Sequence, residues 1–331
     1  MDSENFNWSE ASVLVTGGTG SFGKQFVATM LQEYHPRRLA VLSRDELKQS
    51  EMASQFPSGG DSPMRYFLGD VRDADRLHRA FDGVDVVVHA AAMKQVPAAE
   101  SDPFEAVLTN IIGTKNVIDA AIDCGVKRVF TLSTDKAVNP VNLYGATKLV
   151  AEKLTIQANT YGQAKGCSFA CCRYGNVVGS RGSVVPLFKK QRSNGKITLT
   201  DERMTRFWIT LDQGVKFVIN CIEQMNGGEV FVPKIPAMKM SDLAEAIAPG
   251  VEQVEIGIRP GEKLHEALIS ADESRLVKEF DNHYVLYPAY PSWSKEDILG
   301  AGSPVGDRFR YQSDTSDWGL SQDELLEMTE D

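Results

Sequence analysis

Near the start of the chain a short apolar strand runs directly into a glycine-rich loop, and this pair of features constrains the fold most strongly. Residues 12–16 have the sequence Ser-Val-Leu-Val-Thr, and glycines follow at positions 17, 20 and 23. In such a loop the first glycine permits a tight turn, the second lets the backbone approach a pyrophosphate, and the third allows close helix–strand packing. A helical pattern over 22–34 follows, so its N-terminus faces the anion. The residues predicted to contact a dinucleotide here are Gly17, Thr19, Gly20, Ser21, Phe22 and Gly23.

Apolar strands and helical patterns alternate through about the first 175 residues, which predicts a parallel sheet with right-handed crossovers. The fold class predicted is α/β, a Rossmann-type doubly wound parallel sheet with a smaller C-terminal α/β substrate-binding domain. Residues 1–175 are assigned to the dinucleotide-binding domain, with a returning helix near 211–225, and 176–331 mainly to the substrate-binding domain and tail. Strands are predicted at 12–16, 38–43, 64–71, 84–89, 128–133, 167–173 and 197–200, helices at 102–124 and 144–161, and a turn into a helix at 204–208.

The end of the second strand bears on the choice between NADP and NAD. An NAD enzyme usually carries an acid there that bonds the ribose 2′-hydroxyl, whereas this chain has Ser43-Arg44-Asp45, with Lys48 one helical turn further on. A guanidinium and a nearby ammonium suit a 2′-phosphate, so NADP is the predicted cofactor and NAD the alternative. Asp45 fits either a helix cap or a 2′-hydroxyl contact.

The ends of the third and fourth strands supply further cofactor contacts. Asp70, followed by Val71, is placed to accept from the adenine amino group, or else to cap the helix beginning near Asp73. Ala90 and Ala92 belong to a run of three alanines that lets the backbone pass close to the cofactor.

Candidate substrate contacts follow the sheet edge and the loops beyond it. Lys94, after the fourth strand, is predicted to contact the nicotinamide ribose or a substrate phosphate; the alternative is an ordinary surface lysine. An arginine and a glutamate three residues apart in a Pro-Gly loop suit a phosphate and a ribose diol. Asn176 and Arg181 are candidates to bind a diphosphate or sugar, with an ordinary loop role as the alternative. Arg206 is a further candidate for an anion, or pairs with an acidic side chain. These positions are Lys94, Asn176, Arg181, Arg206, Arg259 and Glu262.

The catalytic prediction rests on Ser-Thr-Asp-Lys at 133–136, directly after the fifth strand, and on a tyrosine and a lysine four residues apart. Tyr144 and Lys148 lie on one helix face, where an ammonium near a phenol lowers the tyrosine pKa and makes it a usable base. The competing interpretation is a solvated helix face. The predicted catalytic residues are Thr134, Asp135, Lys136, Tyr144 and Lys148, of which Tyr144 and Lys148 also contact the cofactor.

Composition excludes several other classes. The 331 residues carry a formal net charge of −10, which argues against a broad nucleic-acid surface. The five cysteines have no paired zinc spacing, and no metal site is predicted. No apolar run approaches the ~20 residues that span a bilayer, and the polar start does not resemble a secretory signal, so a cytoplasmic location is expected.

Together the motifs resemble the extended short-chain dehydrogenases/reductases. More narrowly, they are similar to the soluble inverting UDP-N-acetylglucosamine (UDP-GlcNAc) 4,6-dehydratases that open pseudaminic acid biosynthesis. The dTDP-glucose 4,6-dehydratases have glutamate at the position of Lys136. The retaining relatives have methionine at the position of Tyr144. The stretches that carry the resemblance are 91–100, 133–140, 142–148, 173–182, 204–208 and 259–263.

The resemblance implies a 4,6-dehydratase that acts on UDP-GlcNAc with inversion at C5. A tightly bound NADP is recycled through oxidation at C4, loss of water across C5 and C6, and hydride return to C6. A homo-oligomer, dimer or hexamer, is also implied. Alternatives are a UDP-sugar C4 epimerase, a C5-retaining dehydratase, and a non-catalytic NADP-binding protein.

The same resemblance assigns roles to the catalytic residues. Tyr144 removes the 4-hydroxyl proton while Thr134 hydrogen-bonds that oxygen, and Lys148 lowers the tyrosine pKa and bonds the nicotinamide ribose. Lys136 is the C5 base, and Asp135 helps the 6-hydroxyl leave as water. For Lys136 to be a base its pKa must fall from ~10.4 towards 7, which we expect from desolvation and from the charges of Lys94 and Lys148.

Overall fold

The computed structural model describes residues 6–178, 184–289, 302–316 and 318–329. The helices are α1 (Ser21–Thr29), α2 (Glu46–Gln55), α3 (Ala74–Phe81), α4 (Val96–Ser101), α5 (Pro103–Val107), α6 (Gly113–Asp123), α7 (Leu143–Gln157), α8 (Asn159–Gly162), α9 (Val184–Arg192), α10 (Leu211–Gln224), α11 (Met240–Ile247) and α12 (Gln322–Thr329). Short 3-10 segments include Asp135–Ala137 and Ala271–Leu276, and π-helical turns cover Met30–Tyr34 and Leu108–Ile112.

The strands are β1 (Ser12–Thr16), β2 (Arg38–Ser43), β3 (Met64–Leu68), β4 (Val86–His89), β5 (Arg128–Leu132), β6 (Ser168–Cys172), β7 (Asn176–Val177), β8 (Lys196–Leu199), β9 (Thr205–Ile209), β10 (Val230–Pro233), β11 (Ala237–Lys239), β12 (Glu252–Glu255), β13 (Ala267–Ile269), β14 (Val277–Glu279), β15 (His283–Leu286), β16 (Ser303–Pro304) and β17 (Tyr311–Gln312).

The described strands of the main sheet follow the order β16-β14-β15-β10-β6-β5-β4-β1-β2-β3. From β10 to β3 every pair is parallel, while β15, β14 and β16 are antiparallel additions. The order of the strands reverses between β1 and β4, the position at which doubly wound sheets bind ligands. The predicted Rossmann-type α/β fold is therefore confirmed.

Apolar residues cover both faces of this sheet because helices pack on each side. All five residues of β1 are buried, with Val13 and Val15 in one apolar cluster and Leu14 in the other. The returning helix predicted near 211–225 is α10, which packs against α1.

The second lobe contains the small sheets β11-β9-β7, β12-β8 and β13-β17. Strands β8, β9 and β11 contribute to a separate apolar cluster that includes Phe188 and Trp208, whereas Leu268 and Ile269 of β13 belong to the same cluster as Val13 and Val15 of β1. The predicted boundary near residue 175 stays a prediction. The chain crosses back after it, because β10, β14, β15 and β16 all join the main sheet. Part of the predicted tail, residues 290–301, lies outside the described residues.

One local prediction is wrong. Residues 204–208 were expected to turn into a helix, but Thr205–Ile209 form the fully buried strand β9, since aromatic and β-branched side chains favour a pleated, enclosed surface. The helix begins later, at Leu211, where Thr210 and Gln213 form a capping box. The helix predicted at 102–124 is confirmed in extent. Asp102 occupies the N-cap position without a side-chain capping bond, and α5, a π-helical turn and α6 follow one another without a break to Asp123.

Candidate active site

A cleft of about 830 Å³ opens at the C-terminal edge of the parallel strands, between the glycine loop and the second lobe. Its volume lies within the ~300–1,000 Å³ typical of small-molecule sites. Although the chain is acidic overall, the lining carries more lysine and arginine than aspartate and glutamate. The basic lining residues are Arg44, Lys48, Lys94, Lys136, Lys148, Arg206 and Arg259.

The glycine loop has the geometry expected of a dinucleotide cradle. Gly17 has φ of +65°, and a Cβ there would lie 2.8 Å from the backbone of Ala91. A Cβ on Gly23 would lie 2.3 Å from Gly18, so α1 packs directly on the loop. Gly20 is the N-cap of α1, and a Cβ there would meet only the Gly17 carbonyl within 4 Å. The loop therefore fits a pyrophosphate; Thr19, Ser21 and Phe22 also line the cleft.

At the end of β2 one of the two predicted cations, Lys48, is paired with a carboxylate. The Ser43 hydroxyl lies 2.8 Å from that of Thr19. Asp45 caps α2 by accepting from the Lys48 backbone, and its carboxylate also pairs with the Lys48 ammonium. The helix-cap interpretation of Asp45 is thus confirmed, and Arg44 is the more exposed cation here.

The end of β3 resolves the alternative for Asp70. Asp73 rather than Asp70 caps α3, and it does so by accepting from the Arg76 backbone. Asp70 instead accepts from Arg72 at 2.7 Å and lies 3.8 Å from Arg44. Although burial acts in the opposite direction, these arginines hold the Asp70 carboxyl pKa below its ordinary value. Its contact with adenine stays a prediction, as does that of Val71, which lines the cleft.

The segment after β4 passes along the cleft floor, with Ala90, Ala92 and Lys94 among the lining residues. Burial lowers the pKa of Lys94. Asn110 bonds both the amide nitrogen and the carbonyl of Met93, which fixes the path of this segment.

The catalytic turn follows β5 and is held by its own side chains. Lys148 Nζ donates to the Leu132 carbonyl at 2.6 Å. Thr134 Oγ1 donates to Asp135 Oδ1 at 2.8 Å, and Lys136 Nζ donates to the same oxygen at 3.0 Å. The Asn142 side chain caps α7, which places Tyr144 in its first turn. The structure therefore brings Thr134, Asp135, Lys136, Tyr144 and Lys148 together.

The expectation that Lys148 lowers the Tyr144 pKa is wrong in the structure. Burial, with a smaller contribution from Asp135, raises the Tyr144 pKa to about 12, although Lys136 and a hydrogen bond with Thr134 act to lower it. The Lys148 ammonium is instead bonded to a carbonyl, and burial lowers its own pKa to about 8.

The expected fall in the Lys136 pKa is also wrong. Burial lowers this pKa, but the carboxylates of Asp135 and Glu266 outweigh burial and raise it above its ordinary value. The cation that opposes them is Arg206, and not Lys94 or Lys148 as expected. In this structure Lys136 is an ammonium ion between two carboxylates.

The predicted substrate residues of the second lobe line the cleft in different states. Asn176 lies in β7 and faces the cleft. Arg206 is buried and donates to the carbonyls of Thr205, Lys263 and Leu264. Arg259 is 64% exposed at its side chain and pairs with Glu262. Arg181 lies outside the described residues.

Glu266 and Arg173 are the site-related residues that sequence reasoning missed. Glu266 lines the cleft beside Lys136 although no strand end marks it in the sequence. Arg173 is fully buried between Glu152 and Glu273, which it bonds at 2.9 and 2.7 Å. Arg173 begins the stretch 173–182 and Glu266 follows the stretch 259–263. Glu152, the partner of Arg173, lies 21 positions away, and Lys136, which faces Glu266, lies 130 positions away.

Within the described residues there is no group of three or more histidine, cysteine, aspartate or glutamate side chains that could hold a metal ion. None of the helices in the same residues is long and apolar enough to cross a bilayer.

A doubly wound sheet, a glycine loop after β1 and a Tyr-x-x-x-Lys helix at the sheet edge define the class of extended short-chain dehydrogenases/reductases. Within this class, residues 13–288 match the family described as polysaccharide biosynthesis protein, and the chain belongs to that family.

Individual relatives agree with this assignment. The chain is 53% identical over 330 residues to the UDP-N-acetylglucosamine 4,6-dehydratase (inverting) of Campylobacter jejuni subsp. jejuni serotype O:2, covering 97% of this chain and 98% of that one. It is 39% identical to the UDP-glucose 4-epimerase of Rickettsia rickettsii, covering 83% and 82%. Among solved structures, Pen from Bacillus thuringiensis superimposes with a TM-score of 0.87 at 38% identity, covering 97% of both chains. The predicted resemblance to the inverting dehydratases is confirmed.

Proposed function

We propose that this protein is a UDP-GlcNAc 4,6-dehydratase that inverts C5, using NADP in an internal redox cycle. The observation that carries the proposal is the contact of Lys136 Nζ with Asp135 Oδ1 at 3.0 Å, in the cleft that Tyr144 also lines. Relatives that share 53% identity across nearly the whole chain, and that carry this name, support it.

The cofactor proposal follows from the fit of the glycine loop and the ends of β2 to β4. The pyrophosphate would lie on the backbone of Gly17–Gly23, and the adenosine end near Ser43, Arg44 and Asp70. NADP is favoured over NAD because Arg44 is available to a 2′-phosphate. The bound dinucleotide supplies a hydride acceptor for C4 and a hydride donor for C6.

Tyr144 is the proposed base for the sugar 4-hydroxyl. Because burial holds its pKa near 12, the phenol needs help to ionise, and Lys136 and Thr134 already favour the phenolate. Lys148, on the same helix face, adds a cation to the nicotinamide end of the cleft. Thr134 is positioned to hydrogen-bond the same sugar oxygen.

Asp135 and Lys136 are the proposed pair for dehydration. An ammonium ion is not a base, so the Lys136 proton has to leave before the amine removes the C5 proton. Transfer of that proton to Asp135, across 3.0 Å, creates the neutral amine and the carboxylic acid in one step. The amine then takes the acidified C5 proton while Asp135 protonates the departing 6-hydroxyl, which leaves as water.

The nucleotide end of the substrate is proposed to lie against the second lobe. Arg259 is the most available cation there, since Arg206 is occupied by three backbone carbonyls. Glu262 would accept from the ribose diol, and Lys94, Asn176 and Arg181 complete the proposed contacts.

The alternative function is a UDP-sugar C4 epimerase, which the name of the Rickettsia relatives favours. An epimerase needs the Tyr144 step but neither the C5 base nor the acid, so the Asp135–Lys136 pair argues for dehydration. A C5-retaining dehydratase differs only in the face on which C5 is reprotonated.

The test is to incubate the purified protein with UDP-GlcNAc in deuterated water and to follow the product by NMR. We expect loss of water, deuterium at C5, and the β-L-arabino configuration of a 2-acetamido-2,6-dideoxy-hexos-4-ulose. A product of unchanged mass, epimeric at C4, would contradict the proposal. Retention at C5 would establish the C5-retaining dehydratase instead.

Further parts of the proposal concern assembly and cellular role. Phe104, Leu108 and Ile112 expose apolar side chains at every fourth position, which supports a homo-oligomer, dimer or hexamer, formed through this face. We assign the protein to the cytoplasm and to the first step of a pseudaminic acid type pathway.

A further inference from the structure

Glu266 is a buried carboxylate at the edge of the cleft that is only 2% exposed. One of its oxygens, Oε1, lies 3.6 Å from Lys136 Nζ and 4.0 Å from Arg206 Nε. The other, Oε2, lies 3.5 Å from Lys263 Nζ and has no hydrogen-bond partner. Burial of a carboxylate is unfavourable unless charges compensate it, and here three cations do so without a direct hydrogen bond.

The backbone around Glu266 is fixed to the catalytic turn. Lys263 Nζ donates to the Val138 carbonyl at 2.6 Å, and the Asn142 side chain donates to the Gly261 carbonyl at 2.7 Å. Ser313 bonds Glu266 on both sides, through its hydroxyl to the amide nitrogen and through its own amide to the carbonyl. The carboxylate is therefore held at a set distance from Lys136 by atoms that do not themselves touch the Lys136 ammonium.

The charged and titratable groups that face Lys136 come from four elements. Asp135 lies on its own turn, Tyr144 on α7, Arg206 on β9 and Glu266 on the loop before β13. Asp135 already bonds Lys136 directly, so a second carboxylate adds charge without adding a hydrogen bond. That arrangement controls how readily the ammonium gives up its proton.

We propose that Glu266 is a positioning residue for Lys136, which keeps the Lys136 amine charged and beside Asp135 until its proton is transferred. The inference rests on the proposed function only in giving Lys136 the role of C5 base. The direction of the Lys136 pKa agrees with it, because Glu266 is the second carboxylate that raises this pKa.

The test is the acetylation rate of Lys136 by acetic anhydride at pH 8, measured on its peptide by mass spectrometry with the exposed Lys153 as internal reference. Only a neutral amine reacts. Removing an opposite charge at this distance lowers a lysine pKa by about one unit or more, so Glu266→Gln should acetylate about tenfold faster. A rate unchanged from that of the unmodified protein overturns the proposal.

Three further variants separate charge from structure. Glu266→Asp keeps the charge, so its rate should lie between those of the original protein and Glu266→Gln. Glu252→Gln removes a carboxylate from a surface pair with Lys196 and should leave the Lys136 rate unchanged. Lys263→Gln leaves Glu266 less compensated and should slow acetylation; a faster rate would contradict the proposal even if Glu266→Gln fails to fold.

Acetylation needs no substrate, so this inference and the proposed function fail separately. If the acetylation rates behave as expected but no dehydrated sugar forms, the proposed function is wrong and the role of Glu266 in holding the Lys136 charge stands. If dehydration occurs, Glu266→Gln should also move the rising limb of the pH profile for C5 deuterium incorporation to lower pH.

Discussion

The two walls of the cleft are built in different ways. The sheet wall consists of the glycine loop, the ends of β2 to β5 and the start of α7. Its functional groups lie within a few residues of a strand end or in the first two turns of α7. The loop wall consists of β7, β9 and residues 259–266, and it depends on contacts between distant parts of the chain. For example, Arg206 bonds carbonyls 57 and 58 positions later, and Asn142 bonds a carbonyl 119 positions later.

The difference separates chemistry from recognition. The sheet wall carries the proposed proton-transfer groups, because parallel strands deliver several chain segments to one edge. The loop wall carries the proposed nucleotide contacts and also supplies Glu266, a charge that acts on the sheet wall. Variants of the two walls should therefore fail in distinguishable ways.

The largest expected effect is on the sheet wall. Lys136→Ala should lower the rate of water loss by at least about 10³-fold, within the range for a removed general acid–base group. Exchange of the C4 hydride with labelled cofactor should continue, since Tyr144 remains. Mass spectrometry of the product and of the cofactor measures both steps in one sample. Retained dehydration would show that another residue is the C5 base.

The next effect concerns the buried ion pairs of Arg173, which lie outside both walls. Arg173 lies at the end of β6 and bonds Glu152 of α7 and Glu273 of the 3-10 segment that follows β13. Arg173→Met should reduce the free energy of unfolding by about 3–5 kcal/mol, because the fully buried Glu152 carboxylate and the partly buried Glu273 carboxylate lose their partner. Urea unfolding measures this loss. Arg37→Met, which removes an exposed pair with Asp85, is the matched control and should cost less than about 1 kcal/mol.

A third effect is the pH dependence that Lys148 gives to stability. Its folded pKa of about 8 lies below the ordinary 10.5, so between these values the unfolded chain binds more protons and stability rises with pH. Below pH 8 the buried charge carries its full cost, about 3 kcal/mol. Lys148→Met should remove this rise between pH 8 and 10.5. If urea unfolding gives the two proteins the same dependence of unfolding free energy on pH, the pKa of Lys148 is not lowered in the folded protein.

On the loop wall the expected effect is on binding. Arg259→Ala should raise KM for UDP-GlcNAc by about 10- to 100-fold, the value of a charge-assisted hydrogen bond, and leave kcat within about twofold. Steady-state kinetics separates the two constants. Arg203→Ala removes a different exposed arginine of the second lobe, one that pairs with Asp201, and should change neither. A fall in kcat alone for Arg259→Ala would remove the distinction between the walls.

The sheet wall could be predicted from sequence because its determinants are local. The strand before Gly17, the cap before Tyr144 and the Ser-Thr-Asp-Lys turn each follow from neighbouring residues. The loop wall could not, since β9 is a strand only because it is enclosed, and Arg206 is occupied by carbonyls that the sequence does not bring near it.

The charge of Lys136 shows the same limit within the sheet wall. Its neighbour Asp135 was visible in the sequence, but the expected fall in the Lys136 pKa rested on desolvation and on Lys94 and Lys148. The Lys136 pKa is raised mainly by Asp135, and Glu266, which lies 130 residues away, raises it further. A pKa is a sum over all nearby charges, so a carboxylate that the sequence does not bring near still contributes to its direction.

The smallest expected effect tests the cofactor end of the sheet wall. Asp45 caps α2 and also places a negative charge next to Lys48, near the proposed 2′-phosphate. Asparagine caps helices as well as aspartate does, so Asp45→Asn should leave stability within about 0.5 kcal/mol while removing the charge. Repulsion of the phosphate then disappears and Lys48 is released, so NADP should bind a few-fold more tightly and NAD about as before. Isothermal titration with both dinucleotides measures the ratio. Tighter binding of NAD instead would mean that the Asp45 charge does not face a phosphate, and the preference for NADP would lose its structural basis.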